Sequence, residues 1–287
     1  MPYKETSGGT LFYTLSQGAQ DAPTLLLIHG AGGSRLHWPG ELRRLPDATV
    51  YTLDLPGHGR SGGDGHDTIQ GYAETIVAFF DAVGVEQAIV VGHSMGGAIA
   101  QTLALDFAGR VAGLVLVATG ARLRVAPAII EGIRSDFEGS AKLITQFAWS
   151  SDAPPELTEL GRQAILETGP DVLLDDFAAC DNFDAMERLA EIRTPTLVIV
   201  GSADQLTPPK YARFLAGRIP NARLVLIEGA GHMVMLERPV EVAEAVRELL
   251  NWLPTPGAYL PRKFLYRTLL PSFCYTEIHG EFRDAPD

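Results

Sequence analysis

Six short, almost continuously apolar runs rich in Leu and β-branched residues alternate with helix-length amphipathic segments, and this rhythm constrains the chain more than any other feature. The runs are 24–28, 49–53, 88–91, 112–117, 196–200 and 223–227. Strands that show no polar alternation are buried on both faces, which is the condition of a parallel sheet covered by helices on either side. Helices are expected at about 68–83, 96–108, 208–217 and 238–252, the last ended by Pro254 and Pro256. Ahead of the first run, Lys4-Glu5-Thr6 and Leu11 to Leu15 flank Gly8-Gly9, a turn signal that predicts an antiparallel hairpin on the sheet edge.

Composition allows one large core or two small ones and narrows the partners. In 287 residues, 46% are hydrophobic, and 35 acidic against 23 basic side chains give a net charge of −12. Such a chain repels a phosphate backbone, so no nucleic-acid partner is expected. Cys180 and Cys274 lie far apart without metal-ligand spacing, so neither a disulfide framework, a metal nor a cofactor is expected. Residues 1–9 carry no apolar leader, and no run reaches membrane-spanning length. A soluble, cytoplasmic protein is the expectation.

Residues 121–190 break the rhythm with several helix-like pieces and no convincing strand. They read as a helical cap inserted between two strands of a core formed by 1–120 and 191–253. Their aromatic residues, among them Phe147 and Trp149, are expected over the sheet's carboxyl end, where they would line a substrate pocket with Leu206 and Met233. Residues 254–287 form a C-terminal extension with an apolar, basic middle around Phe264, Leu265, Tyr266, Leu269 and Leu270. That much apolar surface needs cover, from the parent domain first, then in a homodimer, and last by a transient membrane contact.

The run 88–91 leads into Gly92-His93-Ser94-Met95-Gly96-Gly97 and then a helical stretch. A serine at so sharp a strand-to-helix turn is lifted clear of the sheet, glycines on either side leave room for the crossing backbone, and the helix N-terminus points N–H groups at the same spot. A serine hydroxyl needs a base, and the base needs an orienting group. Of seven histidines, His232 follows the last strand in a glycine-bounded loop, so its imidazole emerges where ligands bind in open α/β sheets. His29, His58 and His93 sit in glycine-flanked turns suited to bracing backbone. Asp204, beyond the strand at 196–200, is the favoured orienting acid, with Glu228 and Glu237 as competitors; it could alternatively serve only to cap the helix near Pro208. For the oxyanion, Met95 N–H is one donor and Ala31 N–H, or else Gly32, the other, in His29-Gly30-Ala31-Gly32-Gly33. That glycine run lacks the lysine and spacing of a phosphate loop.

Four blocks together resemble the α/β-hydrolase family in its capped serine-hydrolase form: His29 to Gly33, Asp54-Leu55-Pro56-Gly57-His58-Gly59-Arg60-Ser61, Gly92 to Gly97, and Gly201-Ser202-Ala203-Asp204 with Gly231-His232. The resemblance spans about residues 3–253. It implies a mostly parallel eight-stranded sheet with a helical cap after the sixth strand. It also implies a Ser94, Asp204, His232 triad in the family's chain order, and a structural rather than catalytic role for Asp54 to Ser61. Serine at the elbow argues against the carboxylate-nucleophile members of the family. The leading expectation is hydrolysis of a small-molecule carboxylic ester with a small to medium acyl group. Lactone, thioester or carbon–carbon bond hydrolysis and perhydrolysis on the same triad are alternatives, and a non-catalytic ligand-binding member is the contrasting class.

Overall fold

The structure, a computed structural model, describes residues 2–6 and 8–253. Eight strands, β1 (Tyr3–Thr6), β2 (Gly9–Ser16), β3 (Thr24–Ile28), β4 (Thr49–Leu53), β5 (Ala88–His93), β6 (Val111–Val117), β7 (Thr196–Gly201) and β8 (Ala222–Ile227), form one sheet in the order β1-β2-β4-β3-β5-β6-β7-β8. The β1–β2 hairpin expected around the glycine turn is antiparallel, as is β2 against β4, and every other pairing is parallel.

The continuous apolar character of the strands is explained by two cores. Leu26, Ile28, Val90, Leu114, Leu116, Val198 and Val200 face one hydrophobic cluster, and their neighbours Leu25, Leu27, Ile89, Val91, Val115, Val117, Leu197 and Ile199 face the other. Alternate side chains of a strand point to opposite faces, so a strand with a core on each side must be apolar throughout. The first cluster is covered by α2 (Ile69–Val83), α3 (Met95–Asp106) and α8 (Pro209–Arg218). The second is covered by α1 (Gly40–Arg43), α9 (Val234–Glu237) and α10 (Pro239–Trp252). The helix α2 is closed by Thr68, whose side chain accepts the Gly71 N–H, and by left-handed Gly84 at its end.

Between β6 and β7 the chain forms four α-helices, α4 (Pro127–Ser135), α5 (Phe137–Ala148), α6 (Pro155–Thr168) and α7 (Pro170–Asn182), and a 3-10 turn at Met186–Glu191. Three of them begin with proline at the first helical position, where the missing N–H costs nothing. They carry a small core of their own, Ile133, Ala141, Ile165 and Leu173, against which Ala31 packs. An isolated antiparallel bridge between Arg122 and Asp184 closes the base of the insertion.

The strand order reverses direction between β3 and β5. From β3 the chain moves outward to β4, and from β5 it moves the other way to β6. The carboxyl ends of two such strands border a natural crevice. The loops leaving them contain Gly30 and Ser94.

Candidate active site

Ser94 has φ 53° and ψ −116°, a left-handed conformation that is costly for a residue with a side chain. The surroundings hold it there. Its N–H donates to Val117 O at 2.9 Å, and its carbonyl accepts from Gly97 N at 2.8 Å and from Thr119 Oγ1 at 2.8 Å. The flanking glycines are steric requirements: a Cβ on Gly92 would run into the carbonyl of Gly96, and one on Gly96 would lie 2.6 Å from His29 O. Ser94 is thus clamped between the crossing backbones of β3 and α3. Across the crevice a Cβ on Gly30 would lie 3.0 Å from Ser94 Cβ, so the glycine loop after β3 is the immediate neighbour of the serine.

The structure brings Asp204 and His232 into direct contact. His232 Nδ1 lies 3.0 Å from Asp204 Oδ2 and 3.2 Å from Oδ1. A carboxylate can only accept, so Nδ1 carries the proton and Nε2 is left with its lone pair free for a base's work. Asp204 is fixed in turn: Oδ1 accepts from Leu206 N at 2.9 Å and Thr207 N at 2.8 Å, and Oδ2 accepts from Thr207 Oγ1 at 2.8 Å. Burial works against its charge, but the His232 imidazole and the Thr207 donors outweigh it and hold the carboxyl below the usual aspartate range. The competing acids are occupied elsewhere. Glu228 accepts from Ser202 Oγ at 2.9 Å, and Glu237 accepts from Gly231 N at 3.0 Å and Ser150 N at 3.4 Å. Nor is Asp204 the cap of α8, whose preceding residue Pro208 makes no side-chain capping bond.

His232 rests on His93, their ring centroids 4.8 Å apart, with His93 Nε2 3.1 Å from His232 O. His93 is the residue before Ser94, so this contact brings the serine's turn and the histidine's loop together. The bracing expected of the other turn histidines is also present. His29 Nε2 accepts Leu55 N–H at 3.0 Å, and burial keeps its ring neutral. His37 is likewise pushed down to about 4, by burial and by the neighbouring His58 and His232. The Asp54 block is scaffolding: its carboxylate accepts from Arg35 Nη1 at 2.7 Å, Arg35 N at 2.7 Å and Arg60 N at 3.0 Å, and Ser61 Oγ donates to Asp54 O at 2.6 Å.

Met95 opens α3, so its N–H has no partner within the helix. In the loop after β3, Gly32 N donates to Asp176 Oδ2 at 2.8 Å and Gly33 N donates to Gly30 O at 3.2 Å. Among the described residues Ala31 N–H has no acceptor, which favours it over Gly32 as a donor to a ligand.

The expected lining residues divide. Met233 and Trp149 are buried in the same cluster, with Leu206 packed against it. Phe147, expected beside them, is 42% exposed at the margin of the buried face of α5 formed by Ser140, Ala141, Thr145 and Ala148. Thr207 and Asp176 were not singled out. An Asp followed three residues later by a donor-bearing Thr is a local turn signal for the first. Nothing local distinguishes Asp176 from its exposed-side neighbours. Among the described residues no group of three or more His, Cys, Asp or Glu is arranged to hold a metal, and no helix is long and apolar enough to cross a membrane. The dimerisation expected of residues 254–287 lies outside the described residues.

The chain is similar to several known proteins. The model of the alpha/beta hydrolase family matches residues 25–245. A Pseudomonas syringae pv. syringae protein named, provisionally, carbamate hydrolase RutD is 30% identical over 82% of this chain and 96% of its own. A pimeloyl-(acyl-carrier protein) methyl ester esterase from Neisseria meningitidis serogroup B is 31% identical over 78% of this chain and 92% of its own. Among solved structures, a thermophilic esterase with 38% identity superposes with a TM-score of 0.77, covering 88% of this chain and 97% of that one.

Proposed function

Since the chain belongs to the alpha/beta hydrolase family, whose members act on many bonds, we propose from its site that it is a serine hydrolase cleaving carboxylic esters of small to medium acyl groups through an acyl-enzyme. One observation carries the reading: the Asp204–His232 pair, 3.0 Å apart, stands on the loops beside a serine held in a strained strand-to-helix turn.

In this reading His232 Nε2 takes the Ser94 hydroxyl proton as Oγ attacks the ester carbonyl. Asp204 keeps the imidazole in the tautomer that can do so and stabilises the imidazolium that forms. The carbonyl oxygen becomes an oxyanion that Ala31 N–H and Met95 N–H receive, each donor contributing about 3 kcal/mol in the transition state. The tetrahedral adduct collapses when His232 returns the proton to the alkoxide, and the alcohol leaves. Water then repeats the sequence on the acyl-enzyme and releases the acid.

The apolar surroundings of Met95, Met233, Leu206 and Trp149 favour an aliphatic or small aromatic acyl group over a charged one. The helices of 121–190 act as the cap that sets acyl preference, and the cytoplasm is the proposed location. The names of the relatives support acyl chemistry: one denotes a methyl ester esterase, another a carbamate hydrolase. The test is a panel of nitrophenyl esters of increasing acyl length, run beside an aryl carbamate, a lactone and a vinylogous diketone. Fastest turnover on short or medium esters supports the reading, and preference for any of the other three replaces the ester with that bond class.

A further inference from the structure

Gly32 sits next to Ala31 and is held on both sides of its backbone by the inserted helices. Its N–H donates to Asp176 Oδ2 of α7 at 2.8 Å, and its carbonyl faces Thr168 Oγ1 at the end of α6 at 3.2 Å. Its φ of +61° is left-handed, and a Cβ there would come 3.0 Å from Leu173 Cδ1. In this shape the loop is bonded to both α6 and α7. Asp176 is fully buried, and its other partners come from the sheet domain. His58 Nε2 lies 2.9 Å from Oδ2, and Tyr72 OH donates to Oδ1 at 2.5 Å. His58 Nδ1 faces Pro56 O at 2.8 Å, so both ring nitrogens meet acceptors and both carry protons. A buried carboxylate on the insertion is thus anchored to the core by a cation and a phenol, and spends its remaining capacity on one loop N–H.

We propose that Asp176 is a positioning residue for the reaction: by fixing the Gly32 peptide it aims the adjacent Ala31 N–H at the oxyanion, so that a helix of the insertion assembles the oxyanion hole of the sheet domain. This rests on the serine-hydrolase reading above. The consequence is that lifting α7 releases Gly32 and disassembles the donor pair, linking insertion position to chemistry as well as to access.

Two substitutions separate aiming from general stability. Asp176→Ala removes the acceptor, whereas Asp176→Asn keeps a carbonyl oxygen for Gly32 N–H while losing the ion pair with His58. Both should melt at lower temperature. Asp176→Ala should also lose about 10- to 100-fold in kcat per phosphonate-titrated active site, with KM for nitrophenyl acetate changed less than about threefold. It should lose a similar factor in affinity for phenylboronic acid, which forms a tetrahedral adduct. Asp176→Asn should stay within about threefold of the parent in both. Equal kcat in the parent and Asp176→Ala, or equal losses in Ala and Asn, overturns the proposal. Should Asp176→Ala fail to fold, Thr168→Val carries the test. It should show a loss of a few-fold confined to kcat and boronate affinity, and no such loss overturns the proposal. A parent protein that turns over ester yet takes neither phosphonate nor boronate at Ser94 instead overturns the serine-hydrolase reading, and the proposal falls with it.

Discussion

Asp204 and His232 meet at 3.0 Å from the loops that leave the neighbouring strands β7 and β8, and Thr207, three residues after the acid, supplies both its N–H and its hydroxyl to the same carboxylate. The acid consequently accepts three hydrogen bonds from its own turn besides the one from the histidine. Its charge does not depend on one partner, and its orientation is set by its own turn. A carboxylate so arranged holds an imidazole in one tautomer without moving.

Asp204→Asn should therefore reduce kcat by about 10³- to 10⁴-fold, since an amide can present its NH2 to Nδ1 and favour the opposite tautomer. Glu228→Gln should leave kcat near that of the parent. Steady-state rates on nitrophenyl acetate decide it: an active Asp204→Asn with a dead Glu228→Gln would move the acid to the other strand end.

The acid limb of stability should also change in Asp204→Asn. Because the folded carboxyl titrates below its unfolded value, its contribution is complete above about pH 4 and is lost only as pH falls through the lower folded value. The difference in melting temperature between parent and Asp204→Asn should shrink as pH falls from 5 to 2. A difference constant over that window contradicts the depressed titration.

His58 should act in the opposite direction. Burial opposes its charge, but the Asp176 carboxylate outweighs burial and raises the imidazole above 6.5. A raised folded value means stabilisation that is complete below about pH 6.5, the unfolded value, and is lost as pH climbs through the folded one. The melting-temperature advantage of the parent over His58→Gln should then diminish as pH rises from 6 to 9. An advantage that grows with pH would show that His58 is neutral in the fold.

Much of this was legible in the sequence for identifiable reasons. The strands β3 and β4 match the expected runs residue for residue, because a doubly buried strand is apolar from end to end and the next loop is not. Ser94, Asp204 and His232 are the residues expected from sequence because each lies in a glycine-marked turn after a strand, and the structure sets Asp204 against His232. What failed was what depends on rotation about a helix or on distant partners. Phe147 is expected as lining from its aromaticity, but position 147 lies at the margin of the face formed by 140, 141, 145 and 148, so the helical period alone does not decide whether the ring is covered. Asp176 was invisible because Asp175 and Asp176 look alike in sequence, and only the fold places one of them against Tyr72, His58 and Gly32.

Phe147 of α5 and Trp149 at its exit should behave differently. Trp149 is 5% exposed and packs its indole over Gly161 of α6, whereas Phe147 faces solvent. Trp149→Ala should cost about 3 kcal/mol of stability and shift the preference toward longer acyl chains, while Phe147→Ala should leave both unchanged. Thermal melts and the ester panel read this directly; a Phe147→Ala variant with altered chain-length preference would return that ring to the pocket.

The most direct test of the account is covalent labelling of the protein with a fluorophosphonate, followed by mass spectrometry of its peptides and a parallel assay of nitrophenyl acetate hydrolysis. The account predicts one adduct per chain, on Ser94, formed in step with the loss of esterase activity, and neither adduct nor turnover in Ser94→Ala. Hydrolysis that survives in Ser94→Ala, or that is lost while the adduct sits on another residue, would contradict it.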